Sequence, residues 1–227
     1  MGGKRRQDRR RRRHPGPRRP LLPVLTLVWA VASCTPSGDD RQQIAATTLE
    51  GTTVDLLAGG PSAVVLLFLT PDCPISNRYV PEINRIAEDY RGRRVDFYLV
   101  YTDPAFSDTE IRSHLASYDL APPALLDFGQ VLRARTGVEV TPEAALLDSR
   151  GEVAYLGRID NRFVDFGKTR PKASRRDLRL ALDSVLAGRP VELQRTEAIG
   201  CFVVPLAAGS AAESRAPKTV HPIQKTG

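Results

Sequence analysis

The chain predicts an α/β domain on a mixed central sheet, and three observations carry that prediction. Residues Ala63 to Leu69 form a continuous apolar run that includes Val64 and Val65; too short for a long buried helix, it reads as a strand covered on both faces. A helical pattern of Ile75, Tyr79, Ile83, Ile86 and Tyr90 follows and leads into a second strand-like run, Val95 to Tyr101, which gives a right-handed β-α-β unit with parallel strands. Later, Ala144–Leu147 and Val153–Ile159 flank Asp148-Ser149-Arg150-Gly151, a hairpin signal that adds antiparallel strands.

The N-terminal stretch is a leader. Residues 1–20 hold ten Lys or Arg against Asp8 alone, so they carry +9 of the chain's +7 and leave about −2 for everything after them. The basicity therefore belongs to the leader, and the folded part is not expected to bind nucleic acid. Leu21 to Ser33 is uncharged and mostly apolar, ending in small residues before Cys34. Residues 1–33 thus read as a secretory signal segment, too short to span a bilayer permanently. Val31-Ala32-Ser33-Cys34 resembles a bacterial lipobox, which implies lipidation of Cys34 and a membrane-anchored lipoprotein on the extracytoplasmic side of the cell envelope. Residues 34–41, with Pro36 and Gly38, suit a flexible tether. With Cys34 carrying lipid, Cys73 and Cys201 remain as an even pair in an oxidising compartment.

The domain is expected over residues 42–203. Ile44, Leu49, Val54 and Leu56 flank Glu50-Gly51 as an N-terminal β-hairpin, and Gly59, Gly60 and Pro61 break the chain before the central strand. Pro74 suits the first turn of a helix, which puts Cys73 at the helix N-terminus. Unpaired backbone N–H groups and the helix dipole, worth about 0.3–2 kcal/mol there, favour a reachable, nucleophilic thiolate; the neighbouring Asp72 opposes it. Ser107-Asp108-Thr109-Glu110 has capping-box spacing and opens a helix through Ile111 and Leu115. His114 on that helix reads as a surface or packing residue rather than a catalytic base. A short strand and a helical turn at Gln130–Arg135 follow. Gly157 to Gly167 reads as a long loop without structure of its own, with Arg158 and Arg162 as candidate neighbours of the thiolate. Ser174-Arg175-Arg176-Asp177 opens a last helix carrying Leu178, Leu182, Val185 and Leu186, stopped by Gly188 and Pro190. Thr196 to Val203 is an apolar patch around Cys201, and residues 204–227 lack periodicity and read as a disordered tail.

The strand ending at Cys73, the helix after it, and Val140-Thr141-Pro142 ahead of Ala144–Asp148 together resemble the thioredoxin fold in its redoxin or peroxiredoxin-like branch (alkyl hydroperoxide reductase/thiol-specific antioxidant type), over Gln42–Ala187. The resemblance implies a thioredoxin-like three-layer α/β/α sandwich with a mixed central sheet. Thr70-x-x-Cys73 resembles the Thr-x-x-Cys of peroxiredoxins, and Thr141-Pro142 the cis-proline corner that faces the active cysteine. Thr70 and Cys73 would then be catalytic, and Ser76, Thr141 and Pro142 would face substrate. The implied activity is that of a thiol-dependent oxidoreductase or peroxidase with antioxidant function, needing no cofactor. Cys73 would attack a peroxide or a protein disulfide, and an external thiol reductant would restore it.

The departures from the family pattern are specific. Ser76 stands where a dithiol thioredoxin has its second cysteine, no carboxylate lies on the strand before Cys73, and Leu66 replaces the peroxiredoxin proline. Asn77 stands where copper-carrying relatives have a second cysteine, so no metal is expected. These departures motivate the alternative of a non-catalytic redoxin-fold binding module. Cys201 is then the resolving partner of Cys73, a small buried hydrophobe, or half of a permanent structural disulfide.

Overall fold

The computed structural model describes residues 43–206; the predicted signal segment at 1–33, the lipidation of Cys34, the tether at 34–41 and the tail from 207 onward lie outside the described residues. In chain order the elements are β1 (Ala45–Thr48), β2 (Thr53–Asp55), β3 (Ala63–Phe68), α1 (Pro74–Asp89), β4 (Val95–Tyr101), α2 (Asp108–Tyr118), β5 (Ala124–Leu126), α3 (Val131–Thr136), β6 (Val140–Thr141), β7 (Glu143–Asp148), β8 (Val153–Gly157), β9 (Phe163–Asp165), β10 (Lys168–Thr169), α4 (Asp177–Leu186) and β11 (Cys201–Phe202).

Seven strands form one mixed sheet in the order β2-β1-β5-β4-β3-β7-β8. The apolar run at 63–69 becomes its centre: β3 pairs in parallel with β4 and antiparallel with β7, and all six of its residues are buried. The pleat sends alternate side chains to opposite faces. Val65, Leu67 and Leu69 pack with Ile83 and Ile86 of α1, Ile111 of α2 and Leu178 and Leu182 of α4. Val64, Leu66 and Phe68 pack with Ile44, Leu56 and Leu132 on the other side. Helices on both faces of a mixed sheet make this the thioredoxin-like sandwich expected, and the N-terminal hairpin joins it through β1 and β5.

Helix starts follow local chemistry, with one exception. Pro74 opens α1 with Cys73 as its N-cap. The capping box of α2 is complete: the Glu110 N–H donates to Ser107 Oγ and the Ser107 N–H donates to Glu110 Oε2 at 2.7 Å. Ser174, expected to open α4, does not cap it. Its hydroxyl instead accepts from Asn161 Nδ2 at 2.8 Å, and α4 starts at Asp177, whose buried carboxylate accepts from Arg158 Nε and Arg175 Nε at 2.8 Å each.

The expected structureless loop at 157–167 is also corrected. Phe163–Asp165 pairs antiparallel with Lys168–Thr169, and Gly167, at φ +73°, permits the turn between them. The ordering force is Phe163, which is buried against the Tyr79 ring at 5.0 Å between centroids. Neither arginine of this segment is held for the thiolate. Arg158 is bound to Asp177, and Arg162 pairs with Asp160 at 3.5 Å and lies over the Tyr79 ring.

The burial of β3 gives a direct stability prediction. Leu66→Ala, at a fully buried position, is expected to lower unfolding free energy by about 2–5 kcal/mol, measured by urea denaturation.

Candidate functional site

The site forms where three separate parts of the chain meet. The first is the turn after β3. Leu69 continues the central strand, and Thr70-Pro71-Asp72 brings the chain round so that Cys73 lies at the mouth of α1. The Asn77 N–H closes the first helical bond onto the Cys73 carbonyl at 3.1 Å. Thr70 Oγ1 donates to Asp72 Oδ1 at 2.8 Å, so its proton is directed to the carboxylate and not to the sulfur.

The second part is the corner between β6 and β7, where the Thr141–Pro142 peptide is cis. The corner presents the Thr141 carbonyl to Cys73, whose Sγ donates to it at 3.2 Å. The third part is β11, which pairs antiparallel with β6 in the register Cys201 to Thr141 and Phe202 to Val140. This pairing carries Cys201 Sγ to 2.9 Å from Cys73 Sγ, with Cys201 as donor. Both thiols are free, and closing a bond of about 2.05 Å between them takes about 1 Å of movement.

Gly200 makes the approach possible. A Cβ placed there would lie 2.1 Å from the Thr141 carbonyl oxygen and 3.1 Å from the Pro142 nitrogen, so any other residue must push β11 off the corner. The strand is also fixed on both sides. Upstream, the Leu156 N–H donates to Gln194 O and the Thr196 N–H to Leu156 O; downstream, the Val203 N–H donates to Glu139 O and Gln130 Nε2 to Val204 O.

The electrostatics separate the two sulfurs. Burial works against a Cys73 thiolate, but the Cys201 S–H, the Ser76 N–H and hydroxyl and the Cys201 N–H outweigh it and hold the Cys73 thiol below its ordinary range. Neither Ser76 group makes a conventional bond to the neutral sulfur. Ionisation of Cys73 therefore supplies an acceptor to a buried, unpartnered hydroxyl. Cys201 moves the other way: burial, its donation to Cys73, and the charges of Cys73 and Asp72 push it up to about 12. Of the two thiols, Cys73 is the one that gives up its proton more readily.

Access is the reverse of charge. Cys73 is 0% exposed, whereas the sequence led us to expect a reachable sulfur at the helix start. Its lid is Cys201, which is part-exposed and lines a cavity of about 520 Å³ together with Thr70, Asp72, Thr102, Gln130 and Thr141. The structure thus brings Thr70, Cys73, Ser76, Thr141, Pro142 and Cys201 together.

Sequence reasoning missed three contributors. Gly200 is signalled only by being a glycine beside a cysteine. Gln130, in the left-handed conformation at φ 53°, anchors the chain beyond β11. His114, read as a surface or packing residue, is the packing kind, and what the sequence did not show is its partners. Its Nδ1 meets the Tyr101 hydroxyl at 2.9 Å and its Nε2 meets Asn77 Oδ1 at 2.7 Å, while Asn77 Nδ2 donates to Pro71 O at 3.0 Å. Because the Asn77 amide nitrogen must donate to that carbonyl, its oxygen faces the ring and Nε2 carries the proton. His114 thereby holds Asn77, which holds the turn before Cys73.

A thioredoxin-like sandwich with two thiols in contact across a cis-proline corner defines a class, and comparison with known proteins supplies the family. The Redoxin family model matches residues 36–168, and the chain belongs to that family. The fold is shared with an uncharacterized conserved protein from Geobacillus kaustophilus, at 25% identity and TM-score 0.60 over 74% of this chain and 92% of that one. It is also shared with a hypothetical protein from Sinorhizobium meliloti 1021, at 22% identity and TM-score 0.60 over 71% and 90%. A third structure is that of a putative thiol:disulfide interchange protein DsbE from Chlorobium tepidum, at 20% identity and TM-score 0.50 over 64% and 94%. No curated protein matches the chain.

Two predictions follow from this geometry. Gly200→Ala is expected to part the two sulfurs and raise the pH at which the Cys73 thiolate forms, as followed by thiolate ultraviolet absorbance. His114 is held below its ordinary value of 6.5 by burial, so in acid the unfolded chain binds a proton that the folded chain resists. Stability is then expected to be full above about pH 6.5 and to fall as pH drops below it. Thermal melting across pH, compared with His114→Gln, measures that contribution.

Proposed function

We propose that the protein is a thiol–disulfide oxidoreductase of the cell envelope, in which Cys73 and Cys201 cycle between a dithiol and a disulfide. The observation that carries this reading is the 2.9 Å contact between the two sulfurs, with charge favoured on one and a proton on the other. A disulfide substrate RSSR accepts two electrons and two protons from the pair and leaves as two RSH; an external thiol reductant returns the pair to the dithiol. Membership of the Redoxin family agrees with thiol chemistry. A peroxide substrate has less support, because Cys73 is enclosed and the Thr70 hydroxyl is turned to Asp72.

The location is part of the proposal and rests on the sequence. An Arg-rich leader, an apolar run and Cys34 at its end would deliver the domain across a membrane and hold it there by lipid, with residues 34–41 as tether. Among the described residues no helix is long and apolar enough to cross a membrane.

Cys73→Ser and Cys201→Ser are each expected to lower disulfide-dependent turnover by about 100-fold or more with the circular dichroism spectrum unchanged. Full turnover by Cys73→Ser would overturn the role of Cys73, and absence of disulfide-dependent turnover in the unaltered protein would instead favour the binding module. Stopped-flow mixing with peroxide tests the other substrate: loss of the Cys73 thiol no faster than that of a free small thiol is the expected result.

A further inference from the structure

We propose that external thiols and disulfides exchange at Cys201, and that Cys73 remains an internal partner which never leaves the fold. This rests on the thiol–disulfide reading above, but it reverses the order suggested by the position of Cys73 at a helix start. Three observations carry it. Cys73 has no exposed surface, while Cys201 is part-exposed and opens onto the cavity of about 520 Å³. Bonds from Leu156 and Thr196 before the strand, and from Val203 and Gln130 after it, hold β11 in place. Lifting β11 off Cys73 would break bonds of this set. Finally, among the described residues no side chain other than Cys201 offers an incoming group a sulfur at this opening, whose lining joins polar Thr70, Asp72 and Thr102 to apolar Phe202, Val204 and Pro205, a mixture suited to a peptide or a small thiol.

The chemistry fits this direction of approach. In the reducing step an external thiolate RS⁻ enters through the cavity and attacks Cys201 Sγ. The Cys73–Cys201 bond breaks, the RS–Cys201 bond forms, and the electron pair leaves on Cys73 as its thiolate. A thiol with the lower pKa is the better leaving group, and Cys73 is that thiol, stabilised by the donors around it. A second RS⁻ then attacks the sulfur of the bound R group; RSSR leaves, and Cys201 takes a proton from solvent. In the oxidising step the Cys73 thiolate accepts the proton of the Cys201 S–H across their contact as Cys201 attacks RSSR, giving RS–Cys201 and RS⁻. That proton passes to RS⁻, and the Cys73 thiolate closes the internal disulfide, releasing the second RS⁻. One RSH and one RS⁻ leave, matching the proton and the charge at the start.

The test uses the full chain, oxidised until the Cys73–Cys201 disulfide has formed and confirmed by peptide mass mapping. The protein is mixed with glutathione, quenched with acid within a single turnover and alkylated, and glutathione and alkyl groups are located by peptide. The expected result is glutathione on Cys201 and the alkyl group on Cys73, exceeding the reverse pattern by about tenfold or more. Glutathione on Cys73 with Cys201 alkylated overturns the inference and leaves the thiol–disulfide reading intact. Failure of the oxidised protein to form any Cys73–Cys201 disulfide overturns both. As an independent readout with oxidised glutathione, Cys73→Ser is expected to take up glutathione at Cys201 more slowly than the intact pair, having lost the group that accepts the Cys201 proton, yet faster than Cys201→Ser takes it up at the enclosed Cys73; uptake at Cys73 equal to or faster than that at Cys201 also overturns the inference.

Discussion

The close approach of β11 to the cis-proline corner is the constraint on which the site depends. Two sulfurs 128 positions apart in the chain come within 2.9 Å because the backbone before Cys201 runs against the Thr141 carbonyl with no side chain between them. That same carbonyl accepts from Cys73. The corner therefore sets the position of both thiols at once: one through a hydrogen bond to sulfur, the other through strand pairing. The rest of the fold serves to bring these pieces to one end of the sheet. β3 delivers Cys73 to α1, β7 starts directly after Pro142, and the bonds to β8 aim the segment before β11.

Burial alone would leave Cys73 neutral, because moving a charge out of water is costly. The pair offsets that cost with neutral donors. Donors from Cys201 and Ser76 converge on one sulfur, and its partner retains its proton because a second charge beside the first is unfavourable. The arginines that the sequence offered for this purpose do structural work instead. Arg158 and Arg175 share the buried Asp177 carboxylate at the start of α4, and Arg162 sits between Asp160 and the Tyr79 ring. The Tyr79 hydroxyl in turn donates to Asp160 at 2.8 Å, so this network ties the 157–167 segment to α1.

Much of the fold was legible because its signals are local and repeated. The apolar run of β3, the period of α1, the capping box of α2 and the hairpin turn at 148–151 each specify an element within about a dozen residues. The failures are equally physical. β9 and β10 total five residues among charged neighbours, too short to show alternation, and their ordering depends on Phe163 meeting a tyrosine from a distant helix. Ser174 has the spacing of a cap, but Asn161 offers its hydroxyl a partner, and Asp177 is drawn inward by two arginines. At the site, Cys73, Thr141 and Pro142 could be read from motif. The burial of Cys73 could not, because its cover is a two-residue strand with no pattern of its own. Cys201 was visible as a second thiol, with its role left open among three readings.

The enclosure of Cys73 bears on which chemistry the site can support. A sulfur at a helix start is commonly valued as an exposed nucleophile, and by that standard a thiol with no exposed surface is inert. The conclusion changes when the covering group is itself a thiol. Exchange at a disulfide needs the incoming sulfur to reach only one of the two atoms, along the line of the bond, while the other departs. A buried member is then an advantage: its charge is held by fixed donors, water is kept from it, and it cannot be captured by the wrong partner once released. A peroxide has no such relay, since its oxygen must meet the nucleophilic sulfur itself. Under the proposed exchange, the lid that leaves Cys73 as the internal leaving group also shields it from direct oxidation.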